Sequence, residues 1–184
     1  EDSGDWVEIY NNSNSTYDLI GWELKDAEET NSFVIENSLL LPPDSYHVFC
    51  RNSDSFLSVY PNVNIAGDFD FGFSGSGDAV QLLDSSGELI DIVEYDDTPP
   101  WPISADGGGH TLSLIDPNLD NSLPENWAAS LSVGTPGVQN DVSDIEPEPE
   151  YINFVLFPAY PNPLYSNGNS RSLLRIDYYI HTPG

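Results

Sequence analysis

Asp116-Pro117-Asn118-Leu119-Asp120-Asn121-Ser122, with Glu125 beyond, carries oxygen-bearing side chains at alternate positions. In a tight loop that alternation lets several oxygens converge on one hard cation. It copies the first half of an EF-hand-type calcium loop. Asp116, Asn118, Asp120 and Ser122 are therefore the candidate metal ligands, and Ca2+ is the candidate cofactor. Two departures weigh against this. Asn121 replaces the glycine of the sharp turn, and Trp127 stands where a bidentate glutamate belongs. The competing reading is a loop held by Asx turns, in which each short side chain bonds the backbone two residues on. A second carboxylate group, Asp68, Asp70 and Asp78, surrounds a Gly-rich stretch. Asp68 and Asp70 alternate with Phe69 and Phe71, which is how a charged solvent face over an apolar one reads.

No catalytic constellation emerges. His47, His110 and His181 are far apart in sequence and lack the i, i+4 partner of a helical zinc site. There is no nucleophile elbow, phosphate-binding loop or dinucleotide fingerprint. Carboxylates abound, but nothing singles out a pair for glycoside hydrolysis. His110 follows Gly107-Gly108-Gly109, a turn that either brings the ring to a substrate or simply enters the next strand. The one cysteine, Cys50, forms no intrachain disulfide. A reactive thiol needs an electropositive neighbourhood, which this chain can scarcely supply, so Cys50 reads as a small buried side chain. Of four tryptophans, Trp6, Trp22 and Trp127 sit in patterned strands and read as core. Trp101 lies in the Pro-rich loop Asp96-Asp97-Thr98-Pro99-Pro100-Trp101-Pro102 and is the candidate binding residue, displayed on a rigid loop or folded back over the core.

The elements that would position these groups are β-strands. Trp6, Glu8 and Tyr10 alternate with Val7, Ile9 and Asn11, the period of two of a half-buried strand. Asn11 to Thr16 is a polar turn, and Tyr17 to Leu24 resumes the apolar pattern. Turn clusters at Asp54-Ser55, Ser74 to Gly77, Ser85-Ser86-Gly87 and Gly107 to Gly109 separate short apolar runs. Helical periods are absent, while 15 Pro, 14 Gly and 10 Tyr fit an all-β chain. Short strands between regular turn signals indicate a sandwich or barrel. No run of about 18 apolar residues exists to span a membrane as a helix.

Charge narrows the functional classes. Four Lys and Arg face 31 Asp and Glu, a formal net charge of −27. Nucleic-acid binding needs a basic footprint, so no nucleic-acid partner is expected, and an anionic membrane surface repels this chain as well. Self-repulsion works against compactness at low salt. Screening relieves it beyond about 8 Å at physiological ionic strength, so the composition suits seawater, brine or a calcium-rich exterior.

The ordered set of segments resembles the lamin tail domain, an immunoglobulin-like module, in its divergent bacterial form. The matching pieces are Gly4-Asp5-Trp6-Val7-Glu8-Ile9-Tyr10-Asn11-Asn12 with Ile20-Gly21-Trp22-Glu23-Leu24, and then Leu39 to Phe49 with its Pro42-Pro43 turn. They continue with the hairpin Ser76 to Tyr95, His110 to Asp120 with Asn126-Trp127, and Gly134-Thr135-Pro136-Gly137. The resemblance implies an immunoglobulin-like antiparallel β-sandwich over residues 1–140 with almost no helix, Trp22 and Leu82 largely buried, and a binding or spacer role without catalysis. Family members usually carry one more strand before Trp6, which this sequence does not include.

After Gly137 the composition changes. Residues 141–150 are an acidic, Pro-rich linker of extended geometry. Residues 151–184 contain Tyr151 to Phe157, Tyr160-Pro161-Asn162-Pro163 and Leu173 to Ile180. This resembles the truncated start of a hook-capping-type immunoglobulin-like domain, found at C-termini of proteins exported by the bacterial type IX route. Two strands do not fold alone, so the segment is expected to be covered, most specifically by pairing near Val7 to Ile9. Three functions follow: a non-catalytic adhesion, binding or spacer module of a secreted or cell-surface bacterial protein; an accessory domain of a larger extracellular enzyme; or a self-assembling subunit completed by strand donation. The expected partners are a protein or glycan at the cell surface, or copies of the chain itself.

Overall fold

The computed structural model describes residues 3–106 and 109–142. They lie within the first of the two units into which the chain divides, Glu1–Ser143. The expectations for residues 151–184 fall outside the described residues. In chain order the strands are β1 (Trp6–Tyr10), β2 (Tyr17–Asp18), β3 (Glu23–Lys25), β4 (Ser32–Val34), β5 (Leu40–Leu41) and β6 (Tyr46–Cys50). A helix α1 (Ser53–Val59) follows, then β7 (Ile65–Asp68), β8 (Asp78–Leu83), β9 (Leu89–Tyr95), β10 (Leu112–Leu114) and β11 (Trp127–Ala129). Short 3-10 turns occupy Ile103–Ala105 and Pro124–Asn126.

Two main sheets form the layers, one ordered β1-β6-β7 and the other β4-β3-β8-β9, with two-stranded ladders β2-β5 and β10-β11 beside them. Between the layers Leu19, Leu24, Ile35, Leu41, Phe49, Phe69 and Phe71 are buried, with Val7, Ile9, Trp22 and Phe33 packed against them. This is an all-β, immunoglobulin-like sandwich. The alternation in β1 explains its place, because Val7 and Ile9 face the shared core while Trp6 packs on the opposite side against Phe56 and Tyr60. Gly67 is required where β7 crosses Phe33. A β-carbon there would stand 2.7 Å from the Phe33 ring.

β8 and β9 form the expected hairpin. Asp84 closes it, with Oδ1 accepting the N–H of Ser86 at 2.8 Å and of Glu88 at 3.0 Å, and Gly87 supplies φ +85°. Leu82 is buried at 9% exposure, as expected. Trp22 is only half-buried, its ring leaning on Tyr17 at the edge of the core.

The expectation of an antiparallel sandwich with almost no helix needs correction at one place. β6 and β7 run parallel, and a parallel pair requires a crossover. The stretch read as an Asp54-Ser55 turn is that crossover. Asn52 caps it, its Oδ1 accepting the Ser55 N–H at 2.9 Å. The helix inserts Phe56 and is followed by Tyr60. These two close a second core with Val48 and Cys50, supported by Trp6, Val63 and Ile65.

Loops are fixed by polar side chains that each hold several backbone groups. The Asn11 amide donates to Ser15 O at 2.7 Å and Leu41 O at 2.9 Å, and its oxygen accepts the Ser13 N–H at 3.0 Å. Asp78 draws three segments together, accepting the N–H groups of Ala27, Ser74 and Ala79. Among the described residues no helix is long and apolar enough to cross a membrane.

The second core yields a direct test. Phe56 is fully buried, and truncating a buried Phe to Ala costs about 3–5 kcal/mol. Urea denaturation of Phe56→Ala should show a loss of that size. A loss below about 1 kcal/mol would mean that α1 merely decorates the sandwich.

Candidate functional site

The Asp116–Ser122 loop is built from two consecutive turns of one kind. Asp116 Oδ1 accepts the backbone N–H of Asn118 and its side-chain amide, both at 2.8 Å. Asp120 Oδ1 repeats this with the Ser122 N–H at 3.0 Å and Oγ at 2.6 Å. Both carboxyls are held below the ordinary range, Asp116 chiefly by the Asn118 backbone bond and Asp120 chiefly by the Ser122 hydroxyl. Calcium takes about 6–8 oxygens, whereas one oxygen of each carboxylate here is already committed to the turn. Among the described residues no group of three His, Cys, Asp or Glu side chains gathers as a metal site would. The loop also anchors β11. Asn121 O accepts the Trp127 indole N–H at 2.8 Å, and the Asn121 amide donates to both oxygens of Asp91 on β9 at 2.9 Å.

Trp101 is not displayed. It is 8% exposed, with its ring centroid 6.1 Å from that of Trp127. The expectation of a displayed binding residue is thereby corrected. An indole is too large an apolar surface to leave in water when a second indole lies beside it, and the proline loop folds it inward.

The remaining candidates are committed to structure. His47 Nε2 donates to Leu40 O at 2.9 Å, and His110 Nδ1 to Ser130 O at 2.7 Å. His181 lies outside the described residues. Cys50 is fully buried and its thiol donates to Asp68 Oδ1 at 3.3 Å. Burial first, and Asp68 second, push that thiol up to about 11, the reverse of nucleophile activation. Asp68 also accepts from the Ser53 hydroxyl at 2.5 Å, so it ties β7 to the start of α1. Asp70 stays on the exposed face opposite buried Phe69 and Phe71, as the alternation requires.

Nothing in the sequence singles out Glu8. Its carboxyl sits in the middle of β1, beside Trp6 and Tyr10, and accepts the Gly137 N–H at 2.5 Å. Burial raises it to about 7, against the lowering by that bond. The Tyr60 hydroxyl donates to Val133 O nearby in sequence. Gly134 backs onto Thr111 with φ +96°, and a β-carbon there would meet the Thr111 side chain at 2.6 Å. The 133–137 segment is therefore pinned across β1 and β10. Only the third position of an ordinary alternating strand marks Glu8 in sequence, so nothing there distinguishes it from an exposed glutamate.

One large concavity opens beside these groups, a cleft of about 1530 Å3 lined by β1, by β9 and by β10. Its floor includes Trp22, Leu24, Val80 and Leu82.

A family model described as Lamin Tail Domain matches residues 1–97. The match ends just after β9, short of the 1–140 span expected from the segment pattern. No curated protein matches the chain.

Two measurements follow from these side chains. A carboxyl whose folded pKa is raised destabilises the native state once it ionises. Stability from Glu8 is thus complete below about pH 4.5 and declines as pH rises to about 7. Glu8→Gln keeps an acceptor for Gly137 and removes the charge. Its unfolding free energy should match wild type near pH 4 and exceed it by roughly 1–3 kcal/mol at pH 8. Equal stabilities at pH 8 would show the carboxyl to be solvated. For the Asp116 loop, Asp116→Ala should lower Tm equally with and without calcium at matched ionic strength, the behaviour of a turn residue. A calcium-specific gain lost in Asp116→Ala would identify a cation site instead.

Proposed function

The chain belongs to the lamin tail domain family, and from that premise we propose that it serves as a non-catalytic adhesion, binding or spacer module of a secreted or cell-surface bacterial protein. The observation that carries this reading is the commitment of Cys50, His47 and His110 to the scaffold. Cys50 is buried with its thiol raised, and His47 and His110 spend a ring nitrogen each on a backbone carbonyl. The family itself is a non-enzymatic one.

The charge supports an exterior setting. A surface of −27 is tolerable where counter-ions are plentiful, and it rejects nucleic acid and anionic lipid headgroups. Tyr160-Pro161-Asn162-Pro163 supports export by the type IX route through its resemblance to the start of a sorting domain. The partner that suits such a module is a protein or a glycan at the cell surface.

The test uses the 184-residue chain immobilised at physiological salt and presented with arrays of extracellular proteins and of glycans. Saturable binding without chemical change in the bound ligand is expected. Cleavage or transfer on any bound ligand would overturn the non-catalytic reading. Antibody labelling of the parent protein on intact cells should be positive, and label appearing only after lysis would overturn the surface assignment.

A further inference from the structure

A thin segment of chain lies over Glu8. Val7 and Ile9 face the shared core, so alternation puts Glu8 on the opposite face of β1 with Trp6 and Tyr10. There the Gly137 N–H reaches its carboxyl at 2.5 Å. The contact lies on the face of the strand, not along its edge. Residues 133–141 cross that face as a strap tied at both ends. Val133 O accepts the Tyr60 hydroxyl, Asn140 donates to Leu114 O at 3.0 Å, and Asp141 O accepts the Leu131 N–H at 3.2 Å. Within the strap the Thr135 hydroxyl donates to Gln139 O and accepts the Asp141 N–H, both at 3.2 Å. Of residues 131–139 Pro136 alone is buried. A segment held by hydrogen bonds with so little apolar burial opens at lower cost than the sheets beneath it.

The strap closes over a carboxyl that has no cation to pair with. On β1 its same-face neighbours are Trp6 and Tyr10, and the Tyr10 hydroxyl donates to Asp44 at 3.0 Å. From β6 come Val48, directly opposite, and Tyr46, whose hydroxyl is pushed up by burial first and by the Glu8 charge second. Tyr60 follows α1 with its hydroxyl spent on Val133. Asp44 acts on both Tyr10 and Tyr46, and Asp116 on Tyr10. The strap carries no ionisable side chain before Asp141. Roughly two or three backbone donors can hold a carboxylate ionised out of water, and Gly137 supplies one. Burial therefore outweighs that bond and raises the carboxyl to about 7.

We propose that residues 133–141 are a proton-linked strap, docked over β1 while Glu8 holds its proton and released locally from the sandwich when Glu8 gives that proton to solvent. The sign follows from linkage. Docking removes water from the carboxyl and so raises its affinity for a proton. An arrangement that binds a proton more tightly is fully favoured below the ordinary carboxylate range, about pH 4.5, and loses ground as pH rises through about 7. The strap leads in sequence to the second unit, Asp144–Gly184, so its release lengthens the chain between the two. This device goes beyond the binding-module reading and does not depend on it.

Hydrogen exchange of the full chain, corrected for the intrinsic effect of pH, tests the strap. Protection of the Gly137 N–H should fall by roughly ten- to a hundredfold between pH 5 and pH 8. Its exchange should depend little on low urea, while that of the β3 amides depends on it steeply. Glu8→Gln keeps an acceptor and has no charge to hydrate, so its Gly137 protection should be equal at both pH values. Tyr60→Phe removes the donor to Val133 and should lower protection by one common factor at both. In wild type the carboxyl carbon resonance of Glu8 should titrate where the protection falls. Equal wild-type protection at pH 5 and pH 8 would overturn the proposal. So would a fall that persists in Glu8→Gln, or a Glu8 resonance titrating in the ordinary carboxylate range. Gly137 exchange as steep in urea as that of β3 would overturn it too, because the contact would then open only with the whole sandwich.

Discussion

The burial of β6 on both faces is the constraint on which the rest of the architecture depends. Phe49 points into the core between the sheets, while Val48 and Cys50 point into the core under α1. A strand half-exposed on one side would need only one partner layer. A strand buried on both needs two, and the chain must supply the second from nearby sequence. Residues 52–60 do this at once by turning into a helix, with Phe56 and Tyr60 laid over the strand they have just left. The parallel return of β7 then follows, because a crossover that covers one face delivers the chain back to the same edge direction.

That constraint also marks how far the sequence was legible. The period-two alternation of Trp6 to Asn11, the Ser85 to Gly87 turn and the Phe69/Phe71 alternation each rest on local chemistry, and each appears where local chemistry puts it. Residues 53–59 do not announce a helix. Three serines, an aspartate and a β-branched terminus have weak helix propensity, and seven residues are too few for a clear apolar period. The helix exists because β6 needs cover, a requirement that arises only in three dimensions. Trp101 was ambiguous for a related reason. Its loop is polar and Pro-rich, and the ring that receives it, Trp127, is distant in sequence. Glu8 was invisible altogether, since alternation places a residue on a face without saying what covers that face.

With so few cations, the chain handles its carboxylates in an unusual way. Among the described residues the ion pair is Arg51 with Asp5 at 3.7 Å, and both side chains are substantially exposed. Such a pair contributes little. The carboxylates instead accept backbone N–H groups. Asp18, Asp26, Asp84, Asp96, Asp116 and Asp120 each take the N–H of a residue two positions on. These bonds satisfy donors that irregular loops would otherwise leave to water. Part of the acidity is therefore a turn-building device rather than a mere solvation coat. The bonds favour the ionised form, as the lowered positions of Asp18, Asp84, Asp96, Asp116 and Asp120 indicate. The loops of this sandwich are thus built to hold together while charged.

Glu8 runs against that pattern, and the contrast is informative. Asp18, Asp84, Asp96, Asp116 and Asp120 gain hydrogen-bond donors that outweigh what they lose in hydration, so ionisation suits them. Glu8 gains one donor, from Gly137, but loses water to the Trp6 and Tyr10 side chains and to the segment above it, so ionisation does not suit it. The same strand carries this carboxyl on one face and the shared core on the other. Whatever shifts β1 is felt by both at once. The Gly137 bond favours the ionised carboxyl while burial opposes it, so the hold of residue 137 on β1 and the hydration of Glu8 are set against each other at this one contact. β1 is therefore where packing and proton binding meet in this molecule.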